Sequence, residues 1–246
     1  MSYPSIVLGA DHAVYNTTTT RRLPLGTPLM TQDGRLYRYT ENGGTAIGTV
    51  TGGRVFQSSV PSANYDNQAI AAAAAVGARQ VTVTLGGAPA LDLFRDGYLA
   101  INDVDGEGFI YHVAGNSAAS SCVVDLHSPG IVVALTTSSE ANMVLHPNKD
   151  VVVHASPPTA PVVGATPSAW AADVFGWGQV RGPASILTDG TIVVGAGVMA
   201  SDNVDGSVEA WVPESDTAGE VETMYIGKVM VVAADTEFST IWLQID

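Results

Sequence analysis

Five histidines, one cysteine and a set of clustered carboxylates are the residues of this chain best suited to chemistry, and their spacing limits what they can do. His12, His112, His127, His146 and His154 stand far apart in the sequence. They form no pairs at the short spacings typical of a metal site, so they read as isolated strand or loop residues. No HExxH, CxxC, GxSxG or Walker A pattern occurs. The run Gly176-Trp-Gly-Gln-Val-Arg-Gly182 departs from the dinucleotide fingerprint in its spacing and in lacking a following helix. A Ser-His-Asp triad on a β scaffold would need a cleft that only the fold can supply. The expectation is a protein with no catalytic activity and no cofactor.

Asn102-Asp-Val-Asp-Gly-Glu-Gly108, echoed by Asp202-Asn-Val-Asp-Gly206, clusters oxygen-bearing side chains on glycine turns. Calcium takes several oxygens in such an arrangement, with Asp103, Asp105 and Glu107 as the ligands to test. In EF-hand register, however, the first loop has Ile101 at the first ligand position. The second has Ser201 there and Val212 where a bidentate glutamate belongs. A plain Asp-Gly turn accounts for both loops, and the two readings stay open. Four tryptophans, Trp170, Trp177, Trp211 and Trp242, fall in the C-terminal third. Such rings either fill a sandwich core or subunit interface, or stack on sugars.

The elements that position these residues are read from pattern. The 246 residues suffice for one large β domain or two smaller ones, so Cys122, which has no second cysteine to bond within the chain, is not needed as a staple. The N-terminal stretch lacks the basic and apolar regions of an export signal, and the longest apolar run, Ala69 to Ala78, is too short to span a bilayer. A chain made in the cytoplasm, without a membrane partner, is expected. The formal net charge of −14 repels polyphosphate and argues against direct nucleic-acid binding. Charge is unevenly spread: residues 1–62 hold five arginines against three acids, and residues 199–246 hold ten acids against Lys228. The acidic tail reads either as a solvated face or as the complement of an arginine-bearing N-terminal segment on another copy.

An all-β fold follows, with sandwich or barrel-like domains, an extended N-terminal arm and one short Ala-rich helix. Residues 1–20, ending in Asn16-Thr-Thr-Thr-Thr20, read as the arm. Residues 21–62 form a hairpin region, because Asp33-Gly34 supplies tight-turn geometry between apolar stretches. Residues 63–155 form a β domain whose helix, 66–76, has alanines of high propensity and a terminating Gly77. Its strands are expected at Gln80–Leu85, Tyr98–Val104, Gly108–Val113, Cys122–His127, Ile131–Thr137 and Asp150–Ala155. A proline-rich linker, 156–168, then separates a C-terminal β domain, 169–246. Its expected strands include Val174–Arg181, Ala184–Leu187, Thr191–Val194, Ser207–Val212, Tyr225–Ala233 and Phe238–Ile245.

Four runs, Leu25-Gly-Thr with Asp33-Gly-Arg-Leu-Tyr-Arg-Tyr39, Gly97-Tyr-Leu-Ala-Ile-Asn-Asp103, Gly176-Trp-Gly-Gln179 and Gly227-Lys-Val-Met-Val-Val-Ala-Ala-Asp235, resemble segments of tailed-bacteriophage virion proteins. The resemblance is to head decoration, or capsid cement, proteins. It implies a homotrimer that binds the major capsid protein on the capsid exterior and stabilises the shell. A long spine helix, expected of a major capsid protein, is missing from the pattern. The alternative is a receptor- or glycan-binding module of a fibre or spike. For a cement protein the arm is expected to reach a neighbouring subunit by strand addition, with the hairpin in support. The interface residues so expected are Tyr3, Val7, Leu8, Tyr15, Arg21, Arg22, Tyr37, Arg38 and Tyr39.

Overall fold

Alternation of buried and exposed residues along short β-branched segments makes this chain almost wholly β. The computed structural model describes residues 6–47, 52–212 and 224–246. Two compact units result: Met1–Ser59 with Pro147–Asp246, and Val60–His146 inserted between them in the chain. The first segment contributes β1 (Val7–Leu8), a 3-10 turn at Asp11–Tyr15, β2 (Pro28–Met30), β3 (Leu36–Glu41) and β4 (Val55–Gln57). The insertion contributes β5 (Gln68–Ile70), β6 (Gln80–Thr84), β7 (Tyr98–Asp103), β8 (Ile110–Asn116), β9 (Ser121–Leu126) and β10 (Glu140–Val144). The last segment contributes β11 (Val152–Val153), β12 (Val162–Ala165), β13 (Phe175–Leu187), β14 (Gly197–Ala200), β15 (Val208–Ala210), β16 (Tyr225–Val231) and β17 (Phe238–Gln244).

Strands β5 to β10 close into a barrel in the order β10-β5-β6-β9-β8-β7, which removes open strand edges. Inward positions alternate cleanly: Val81 and Val83, Leu99 and Ile101, Tyr111 and Val113, and Cys122, Val124 and Leu126 share one core with Phe94. Burial pushes the Cys122 thiol pKa up, so it behaves as a small apolar core residue. The other unit is an eleven-stranded sheet among the described residues, running β1-β2-β3-β13-β17-β16-β14-β15, with β12 joining β13 to β4 and β4 to β11.

Strand β13 organises that sheet. Its first half pairs with β3, from Phe175 opposite Glu41 to Arg181 opposite Leu36, and its second half with β17, from Arg181 opposite Gln244 to Leu187 opposite Phe238. At the handover Gly182 takes a φ of 91°, and the buried Gln179 side-chain amide donates to the Arg181 and Pro183 carbonyls. Upstream, glycines make room for rings. A Cβ on Gly164 would lie 2.6 Å from the Phe56 ring, one on Gly176 would lie 2.8 Å from Trp170, and one on Gly178 would also meet Phe56. Phe56 and Trp170, both fully buried, pack at 5.5 Å between centroids.

Several expectations are corrected. The Ala-rich helix 66–76 does not form: Gln68–Ile70 is strand β5, and Asn67 has a φ of 54°. The backbone N–H groups of Ile70, Ala71 and Ala74 donate to the carbonyls of Ser139, Thr82 and Leu135 instead of to residues four back. Helix propensity differs by less than about 1 kcal/mol per residue, and barrel closure outweighs it. Ile131–Thr137 is not a strand but meets Ala74 through a single bridge at Leu135. The proline-rich 156–168 is not a boundary, since it contains β12 and the Ser58 N–H donates to the Pro161 carbonyl. Thr191–Val194 is irregular, and the strand lies at Gly197–Ala200. Residues 6–20 are not a free arm: β1 lies parallel to β2, Val14 is fully buried, and Thr18 bridges Phe175.

Replacing Gly178 by alanine is expected to destabilise the sheet unit by about 1–3 kcal/mol through overpacking against Phe56. Urea denaturation of Gly178→Ala alone and combined with Phe56→Leu checks this. The second change should recover part of the loss.

Candidate functional site

The expected docking residues are placed as follows. Tyr3 lies outside the described residues. Val7 is half-buried in β1, and Leu8 and Tyr15 are exposed. Tyr37 and Tyr39 are corrected: both are core residues, at 0% and 4% exposure. They share a cluster with Val14, Leu25, Leu29 and Trp177, and Tyr39 stacks on Phe175. Along β3, Tyr37 and Tyr39 sit on the face that the N-terminal segment covers, and Thr40 is fully buried as well. Arg21, Arg35 and Arg38 are held by side-chain bonds within the chain. Arg38 pairs with the Asp246 carboxylate and donates to the Gly26 carbonyl, and Arg21 Nε donates to the Leu23 carbonyl. The Arg22 side chain is exposed, and its backbone N–H donates to the Tyr39 hydroxyl. Arg35 donates to Asp33 at 2.6 Å and to the Tyr37 hydroxyl at 2.8 Å.

The Asp-Gly turns use carboxylate oxygens in hydrogen bonds within the chain. Asp103 accepts from the Val104 N–H at 2.9 Å, and Asp105 accepts from the Thr136 hydroxyl at 2.8 Å. Glu107 is exposed, and these three do not converge as a ligand group. In the echoing loop, Asp205 accepts from Ser156, and the Ser201 hydroxyl lies 2.7 Å from Asp189 and 3.2 Å from Glu209. Burial raises the Glu209 pKa, and the charges of Asp202 and Asp189 add to it.

Among the described residues, one group of three metal-ligating side chains does come together: Asp96, His112 and His127, with one ligand atom of each within 4.8 Å of the others. The two rings stack at 4.4 Å and 21°. These histidines stand fifteen positions apart, so sequence spacing hid them. Strands β8 and β9 bring them together, because the His127 N–H donates to the His112 carbonyl at 3.0 Å. His154, by contrast, is buried between the Ala155 and Ser207 carbonyls.

The four tryptophans divide. Trp170 and Trp177 are core, whereas Trp211 and Trp242 are 42% and 41% exposed. On β17, Ile241 and Leu243 face the core, so Phe238, Thr240, Trp242 and Gln244 face out. Trp242 lies opposite Lys228 on β16, Lys228 opposite Gly197 on β14, and the Trp211 N–H donates to the Gly197 carbonyl. Gly197 is a clearance: a Cβ there would lie 2.9 Å from the Tyr225 ring. Trp211 meets Tyr225 edge-on at 5.6 Å, and the Tyr225 hydroxyl donates to Gln244. With exposed Met230 on the same strand, this is an aromatic row on the outer face of a sheet.

No protein-family model matches this chain, and no match was found among curated proteins or solved structures. What the fold and surfaces define is an all-β protein with a closed six-stranded barrel inserted into a larger sheet unit. Among the described residues no helix is long and apolar enough to cross a membrane.

Burial pushes the Tyr37 hydroxyl pKa from 10.0 up to about 12, against the opposing pull of Arg35. The fold therefore prefers neutral Tyr37, and its contribution is intact below pH 10 and lost as pH rises towards about 12. Denaturation midpoints measured across that alkaline range should fall steeply for the natural chain and less for Tyr37→Phe. At neutral pH that variant should lose about 1 kcal/mol with the Arg35 hydrogen bond.

Proposed function

We propose that this chain is a non-enzymatic structural protein of a virion, of the head decoration type, which binds the outside of a capsid and stabilises the shell. The supporting observation is the aromatic row of exposed Trp211 and Trp242 with half-buried Tyr225 and exposed Met230. Tryptophan and tyrosine gain most from burial at a protein contact, and exposed clusters of such rings mark docking surfaces. The partners are the major capsid protein and further copies of this chain, with a trimer as the assembly. A modest contact suffices, because symmetry and several attachments per oligomer multiply it.

The docking side so proposed is the C-terminal sheet face rather than residues 1–62. Tyr37 and Tyr39 are core, and Arg35 and Arg38 pair with carboxylates of their own chain. The same rings favour one second reading, a glycan-binding module of a fibre or spike, since exposed aromatic faces also stack on sugars.

Changing Trp211 and Trp242 together to serine is expected to reduce the copies retained per capsid at least about tenfold, given about 2 kcal/mol or more for each interface anchor removed. Quantitative electrophoresis of purified particles reads this, and circular dichroism verifies the variant's fold. Unchanged occupancy would show that the row is not the docking face. Purified virions with no copy of the chain, together with saturable binding on a glycan array, would replace this reading by the second.

A further inference from the structure

On the outside of the barrel, β8 and the residues flanking β7 and β9 carry a constellation that the proposed capsid docking does not use. Tyr111 and Val113 of β8 and Leu126 of β9 point into the core, so His112 and the adjacent His127 point outward on one face. Tyr98 on β7 lies directly across from His112, with ring centroids 6.0 Å apart.

Asp96 is held beside them by its backbone. Its N–H donates to the Val113 carbonyl at 2.9 Å, and the Val113 N–H returns a bond to the Gly97 carbonyl at 2.9 Å. A Cβ on Gly97 would collide with the Val144 carbonyl, so the chain following Asp96 is pinned against β10. Asp96 itself has a φ of 65°, a conformation that aspartate tolerates better than most residues. Of the three ligating side chains, His112 starts from barrel strand β8, while Asp96 and His127 start from turns that backbone hydrogen bonds tie to β8. A cavity of about 280 Å³ lies beside the histidines, with Phe109, Tyr111, Pro129 and Val132 among its walls.

We propose that Asp96, His112 and His127 form a binding site for one divalent transition-metal ion of the zinc class. Two imidazoles and one carboxylate are borderline donors, which suit zinc, cobalt, nickel or copper rather than calcium or magnesium. Tetrahedral zinc at about 2.0–2.1 Å from each ligand separates the ligand atoms by roughly 3.4 Å. Atoms already within 4.8 Å of one another reach that spacing when the two exposed imidazoles turn out of their stack towards a common point beside the half-buried Asp96. Three protein ligands leave a fourth position open to water or to a ligand from another molecule. This chemistry is independent of the aromatic row, which lies on the other unit.

Isothermal titration of zinc chloride into the chelator-treated full chain is the test. The expected result is a saturable isotherm at one ion per chain, weakened about tenfold or more by His112→Ala or His127→Ala and abolished by the double variant. Asp96→Asn should weaken it by a smaller factor, and calcium chloride should give no saturable heat. Zinc should also raise the melting temperature of the natural chain and leave that of the double variant unchanged. All three side chains are on the barrel's surface side, so far-ultraviolet circular dichroism should show the variants folded. No saturable zinc heat, or the same isotherm in the folded double variant, would overturn the proposal.

Discussion

The fit of two large rings into gaps left by missing Cβ atoms is the constraint on which the sheet unit depends. Phe56 comes from β4, Trp170 from the segment before β13, and Gly164, Gly176 and Gly178 from β12 and β13. Strand β13 can pass over the rings only because it presents glycine there. Having done so, it runs on to pair with β17, so one continuous strand serves the hairpin of β2 and β3 on one side and the C-terminal strands on the other. The packing of Phe56 on Trp170, with the backbone hydrogen bonds that Trp170 exchanges with Ile47, adds to the β3–β13 and β4–β12 pairing in joining the chain before the inserted barrel to the chain after it.

The barrel obeys a different constraint. Its strands have partners on both sides, which leaves few polar backbone groups unbonded and lets side chains alternate strictly over most of each strand, up to the irregularity after Val113 on β8. That strictness is useful on the outside as well as inside: once Val113 and Leu126 face the core, His112 and His127 have no choice but to share the outer face. On the sheet unit the same alternation, read on β17, exposes Trp242 whenever it buries Ile241 and Leu243.

Charge follows the fold more than the sequence distribution. The arginines concentrated near the N-terminus are largely spent within the chain, Arg35 on Asp33, Asp11 and Tyr37, and Arg38 on the C-terminal residue Asp246. One of these pairs, Arg38 with Asp246, joins N-terminal positive to C-terminal negative charge, whereas the partners of Arg35 are N-terminal themselves. Such exposed pairs are each worth at most about 1 kcal/mol, so they orient the strands more than they stabilise them.

The sequence by itself determined the all-β class and the placement of strands such as β6, β7, β9 and β17, because their alternation and bounding turns are local properties. Asp33-Gly34 was legible as a hairpin turn for the same reason, and the structure has β2 and β3 paired across it. Only tertiary structure decided what the alanine run becomes, since its hydrogen-bond partners, Thr82, Leu135 and Ser139, lie up to about 70 residues away and a small local propensity cannot compete with them. Tertiary structure also decided which face of an alternating strand is covered. This is why Tyr37 and Tyr39 proved to be core while Trp211 and Trp242 did not. The meeting of His112, His127 and Asp96 depends on strand register and on a pinned turn, and register is a relation between distant segments that residue types and spacing do not encode.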